Sequence, residues 1–312
     1  MSSAGSLVLL QVLSRVLTFA LNTCLARGLG PRWYALANAQ LQLITSTALF
    51  LSREGVRRAA QRIYPGGSGV PLVHAINLAW LCVPITFLSA TFVGGSAAHG
   101  SGGADLAGLM TPRERAGAVW MVCAAAVVEA CAEPGWLYAQ ANQKIPTRAI
   151  AEGVALVVKV AATYYLTLVQ ERGAIGFGLA QLVYAVVYAL LLYGLLARAR
   201  APALWPRPTS AAHQPTPADL TTAGDAGASE SDATLVKPTT EREERWLCRR
   251  SRTLGLQYCG QCVQKFVLTE GERVTLVAIS PLAQQGVFAL ISSKQPWTHT
   301  EAPHAPARAV LP

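Results

Sequence analysis

Apolar residues in this chain gather in long runs, not in the alternating or three-and-four spacing of half-buried strands and surface helices. A helix needs about twenty apolar residues to cross roughly 30 Å of hydrocarbon. Six windows meet or approach that length: residues 6–26, 33–51, 70–93, 116–141, 149–169 and 173–197. The first carries Arg15 at its middle, and the second holds Asn38, Gln40 and Gln42. Pro84 lies in the third, and the fourth is interrupted by Glu129, Glu133 and Pro134. The fifth has Glu152 near one end and Lys159 at its centre, whereas the sixth is uncharged. Residues 1–6 carry no Lys or Arg and Arg15 splits the first run, so that window reads as a retained helix and not as a cleaved signal.

After residue 197 the pattern ends. Residues 198–252 are predicted to form a disordered cytoplasmic linker, because Pro, Thr, Ser, Ala and charge leave too little apolar surface to offset ordering. Residues 253–291 are again half apolar and read as the start of a second bundle, and 292–312 as an unstructured tail. The expected fold is all-α and polytopic: one six-helix transmembrane bundle over residues 1–197, followed by the beginning of another.

Composition agrees. Of 312 residues, 52% are apolar and only 14% charged, against roughly 25% charged in soluble domains. The net charge of +9 gathers beside apolar runs, which is membrane topology and not a nucleic-acid surface. Arg53, Arg57, Arg58, Arg62, Lys144, Arg148, Arg198, Arg200 and Arg207 flank one side of the membrane. Arg27, Arg32, Arg113, Arg115 and Arg172 flank the other. Nine against five predicts a cytoplasmic N-terminus.

Ionisable groups at bilayer depth cost roughly 2.5–3.5 kcal/mol each and usually face a bundle interior or a wet cavity. Arg15, Glu129, Glu133 and Lys159 are the candidates. The two glutamates are four residues apart and share a helix face, and Pro134 is expected to kink that helix and free carbonyls beside them. One reading makes these residues internal ion pairs that hold the bundle. The other makes them the lining of a hydrophilic cavity for an anionic head group. A second cluster, Arg53, Glu54, Arg57 and Arg58, is placed where the second helix leaves the membrane, as a positive anchor or a cytoplasmic entrance for phosphate head groups.

No catalytic constellation is present: no D-x-D, P-loop, H-E-x-x-H or G-x-S-x-G. An enzyme is not expected, and neither a cofactor nor a metal is implied. Cys24, Cys82, Cys123 and Cys131 read as small buried hydrophobes. The Cys259/Cys262 pair lacks the second ligand pair of a zinc site, and His299 and His304 lack ligand spacing.

Several stretches together resemble a known family. They are L-L-Q-V-L-S-R-V-L-T-F-A-L-N (9–22), S-T-A-L-F-L-S-R-E-G-V-R-R-A (46–59), N-L-A-W-L-C-V-P (77–84) and V-V-E-A-C-A-E-P-G-W-L-Y-A-Q-A (127–141). I-A-E-G-V-A-L-V-V-K (150–159), K-F-V-L-T-E-G-E-R (265–273) and Gln285-Gly286-Val287 follow in the same order. The chain is similar here to the Rft proteins, the dolichol-linked oligosaccharide translocation family of the endoplasmic reticulum. The resemblance covers residues 7–197 and about 257–290, and L-T-E-G-E-R is its most diagnostic block.

The resemblance implies a multi-pass fold of the multidrug, oligosaccharidyl-lipid and polysaccharide exporter superfamily, with two six-helix bundles around a central cavity. It implies flippase-type glycolipid translocation: a dolichyl-diphosphate-linked heptasaccharide moves from the cytosolic to the lumenal leaflet for N-glycosylation. The implied partners are membrane lipid, that glycolipid and other proteins of the lipid-linked oligosaccharide pathway. Arg15, Glu129, Glu133 and Lys159 would be cavity residues, and Glu270, Glu272 and Arg273 would belong to the second bundle. A non-transporting accessory of the pathway and a cation-coupled antiporter are the alternatives. Family members are about twice this length, so the chain is expected to be a C-terminally truncated member.

Overall fold

The computed structural model describes residues 27–63, 72–99, 108–199, 204–206 and 249–294, with Val12, Val16 and Thr23 as isolated positions. Helix is the regular structure throughout these residues, with no strand among them. The first helical column combines α1 (Pro31–Ala35), a π-helical segment (Leu36–Leu41) and α2 (Gln42–Ile63). Then come α3 (Leu72–Trp80), α4 (Cys82–His99), α5 (Pro112–Ala130), α6 (Glu133–Ala141) and α7 (Ile145–Tyr164). A second π-helical segment (Tyr165–Val169), α8 (Gly173–Arg198), α9 (Arg249–Ile279) and α10 (Leu282–Lys294) complete the order.

Among the described residues, four helical stretches are long and apolar enough to cross a membrane: Leu72–His99, Pro112–Ala141, Ile145–Val169 and Gly173–Arg198. They coincide with the third to sixth predicted windows. The second window lies within a longer helical run that continues to Ile63. The first window, with Arg15 and Cys24, lies outside the described residues. So do nearly all of the expected linker and tail, including His299 and His304. Large apolar side chains on the spans stay exposed: Phe87, Leu88 and Phe92 on α4 and Leu190 on α8. In a lipid solvent such residues form the outer surface, and the fold is that of a polytopic membrane protein.

Two spans are broken, each one turn before a proline. Proline has no N–H to give to the carbonyl four residues back, and its ring clashes there. Accordingly, Leu81 interrupts α3 and α4 ahead of Pro84, and Cys131–Ala132 interrupts α5 and α6 ahead of Pro134. α5 begins on a capping box in which Thr111 Oγ1 accepts from Glu114 N and the Glu114 carboxylate accepts from Thr111 N at 2.8 Å. Thr111→Ala is expected to cost about 1 kcal/mol, read as a lower melting temperature with no change in fold.

Small residues let the helices approach. Thr86 Oγ1 of α4 donates to Ser52 Oγ of α2 at 2.7 Å, and Ser89 Oγ donates to the Ala48 carbonyl at 3.1 Å. Such hydrogen bonds and close packing hold helices together where lipid supplies no hydrophobic drive. α9 lies along α2 in the same way. Gly55 faces Cys259 so closely that a Cβ would sit 3.0 Å from its backbone nitrogen. Phe50 and Phe266 meet at 5.8 Å, and Lys265 Nζ reaches Glu54 Oε1 at 2.7 Å.

Candidate functional site

Helix α2 places Arg53 and Arg57 one turn apart, facing Glu129 at the end of α5 and Glu133 at the start of α6. Arg53 Nη1 donates to Glu129 Oε1 at 2.9 Å, and its Nε lies 2.6 Å from Glu133 Oε1. Arg57 takes Glu133 in a two-point grip, Nε to Oε2 and Nη2 to Oε1, both at 2.8 Å. The proline break contributes directly: the Glu129 carbonyl, at the broken turn, accepts from Arg53 Nη2 at 3.0 Å. The Cys131 carbonyl accepts from Tyr193 Oη at 2.7 Å. Two acids and two bases thus neutralise one another. Glu129 is 7% and Glu133 only 2% exposed, so the carboxylates are sealed by their partners.

Trp136, one turn beyond Glu133, carries Arg57 over its ring at 3.9 Å and Arg148 at 4.9 Å. Arg148 Nη1 donates to Gln140 Oε1 at 2.9 Å. Arg58 and Lys265 share Glu54, at 2.8 and 2.7 Å. The cluster at residues 53–58 therefore sits inside a continuing helix, more than a turn before its end. Arg53 and Arg57 are the counter-charges of Glu129 and Glu133.

Lys159 lies elsewhere. It lines a cavity of about 230 Å³ between the first helical column, α5, α7 and α8. Asn38, Gln42, Thr45, Thr163 and Gln181 supply the other polar lining, and Val122, Leu156 and Phe177 part of the apolar wall. Asn38 belongs to the π-helical segment, a distortion often found at functional sites. Neither glutamate lines this space. The arginines of α2 draw Glu129 and Glu133 into ion pairs, whereas Lys159 lines this space. Arg15 is outside the described residues.

Of the second-bundle motif, Glu270 and Arg273 pair along α9 at 3.4 Å. Glu272 is exposed. Lys265 and Phe266 of the same block, not its acids, dock on α2. Among the described residues no group of three or more His, Cys, Asp or Glu side chains is placed to hold a metal. Cys82, Cys123, Cys131, Cys259 and Cys262 are free thiols.

Over residues 1–293 the chain matches the family described as Rft protein. The chain belongs to the Rft family. A mouse relative named Man(5)GlcNAc(2)-PP-dolichol translocation protein RFT1 is 29% identical over 297 residues, 93% of this chain and 50% of its own length. Relatives of the same name from Xenopus tropicalis and Dictyostelium discoideum are 29% and 26% identical, each over 92% of this chain and 49% and 50% of their own lengths. The chain thus spans about half the length of the curated relatives it matches. No solved structure matches it.

Sequence reasoning missed two features of this Rft protein. Trp136 reads as one more apolar residue, although it stacks two arginines. Gln181 sits in the uncharged sixth span and carried no signal. Asn38 and Gln42 were visible as polar residues that weaken the second span, and that weakness marks the cavity wall.

Proposed function

We propose that this chain forms a helix bundle of a translocation protein that moves a dolichyl-diphosphate-linked oligosaccharide between leaflets of the endoplasmic reticulum membrane for N-glycosylation. The observation that carries this reading is a polar, lysine-bearing cavity inside a bundle of membrane-spanning helices, in a chain of the Rft family. The ion pairs between α2 and the α5–α6 break act as a rigid frame, and the cavity faces the head group. No bond is made or broken. The bundle offers a polar route to a head group whose polyprenyl tail stays in lipid, and rocking against a second bundle exposes that route to each side in turn.

The N-terminus is assigned to the cytosol. Removing the internally paired Arg53 and Arg57 from the count still leaves Arg58, Arg62, Lys144, Arg148, Arg198, Arg200 and Arg207 on that side. Arg15 remains a proposed cavity residue, and Glu270, Glu272 and Arg273 are proposed residues of the second bundle.

A hybrid with residues 1–293 of this chain in place of the matching stretch of the mouse relative tests the reading. Purified into vesicles, it is expected to equilibrate a diphosphate-linked glycolipid between leaflets. In cells lacking their own copy it is expected to restore glycosylation of a reporter. An inserted, folded hybrid that moves no glycolipid contradicts the reading.

A further inference from the structure

We propose that the Lys159 cavity is an oxyanion site sized for a phosphate group, and that it excludes the sugars. The inference rests on reading this cavity as the one that faces substrate, and deepens it by separating the two parts of the head group.

Volume sets the first limit. Pockets that enclose drug-sized ligands run from about 300 to 1,000 Å³, whereas this one is about 230 Å³. An oligosaccharide does not fit inside it, and a phosphate or diphosphate does. Charge sets the second. The lining holds Lys159 and no carboxylate. Glu129, within electrostatic range of Lys159, is already held by Arg53 at 2.9 Å. Among the described residues the Lys159 ammonium has only the face of Tyr184, 5.6 Å away, as a partner.

The donors on the cavity wall supply the third limit. The Thr45 and Thr163 hydroxyls are turned onto their own helix, donating to the Leu41 carbonyl at 3.2 Å and the Lys159 carbonyl at 2.8 Å. The side-chain amides of Gln42 and Gln181 make no hydrogen bond among the described residues, and Gln181 is 7% exposed. The Lys159 ammonium, with three N–H groups, and the amide N–H groups of Gln42 and Gln181 therefore line one small space that holds no carboxylate. A phosphate group offers acceptor oxygens to these donors while neutralising the lysine, in hydrogen bonds strengthened by charge. Such a group can come from a prenyl diphosphate lipid or from free phosphate in solution.

Calorimetric titration of the full chain in lipid nanodiscs tests this, with inorganic pyrophosphate and farnesyl diphosphate as separate probes. Saturable binding is expected for the native chain. Lys159→Gln should weaken it about tenfold or more, the scale of a hydrogen bond to a charged group. Lys159→Arg should stay within about threefold, and Lys265→Gln should bind as the native chain does. Melting curves of each variant separate lost binding from lost folding. Binding of both probes assigns the site to free anions as well as lipid, and binding of farnesyl diphosphate alone assigns it to the lipid. Absence of binding for both probes, or undiminished binding by a folded Lys159→Gln, overturns the oxyanion site. Intact anion binding with no glycolipid movement by the hybrid counts against the translocation reading alone.

Discussion

Replacing Glu133 with glutamine is expected to destabilise the bundle by about 3–5 kcal/mol, the usual cost of removing one partner of a buried ion pair. Glu133 is the hub of the charge network, with Arg53 Nε at 2.6 Å and Arg57 Nε at 2.8 Å. The variant leaves two guanidinium groups sharing the single charge of Glu129 in a low-dielectric interior. Thermal unfolding in detergent and the steady-state level of the protein both report this loss. Arg57→Gln added to Glu133→Gln restores the balance of one acid and one base. The double variant is therefore expected to recover part of the lost stability, more than independent effects allow. If Glu133→Gln melts like the native chain, the pairs do not hold the bundle.

Leucine at Gly178 should disrupt the contact between Pro112–Ala141 and Gly173–Arg198. A Cβ at Gly178 would lie 2.9 Å from both the Ala118 carbonyl oxygen and the Met121 Cβ. The obstacle is backbone on one side, so no side-chain rotation relieves it. Overpacking costs roughly 1–3 kcal/mol and sometimes more. Gly194 on the same helix has nothing within 4 Å of its Cβ position, and Gly194→Leu is expected to be neutral. Limited proteolysis and melting temperature should separate the two. Equal behaviour of both variants would remove the close approach at Gly178.

How far the sequence carried these results depends on the range of each interaction. Span positions were legible because hydrocarbon thickness demands a run of apolar residues, and Leu72–His99 through Gly173–Arg198 fall where the runs lie. The break before Pro134 was legible because a proline's effect on its own helix is local. Pairing was not. Arg53 and Glu129 are 76 residues apart, and Glu54 and Lys265 are 211 apart. Spacing along one helix shows which charges share a face, but not which helix that face meets. Composition made Glu129, Glu133 and Lys159 one set of buried charges. Packing divides them, because α2 brings two arginines to the glutamates and none to the lysine. Gln181 was invisible for a related reason: a single amide in an uncharged span barely alters hydropathy, yet it completes the cavity wall.

The division between a sealed ion-pair frame and a separate wet cavity can be measured by the reactivity of single cysteines. In a background with all seven native cysteines replaced, Gln181→Cys probes the cavity and Ala130→Cys probes the packing beside Glu129. A small, charged methanethiosulfonate reagent, added to the protein in vesicles, is predicted to modify Gln181→Cys and leave Ala130→Cys unmodified. An unreactive Gln181→Cys, or an Ala130→Cys that reacts as fast, would contradict the account.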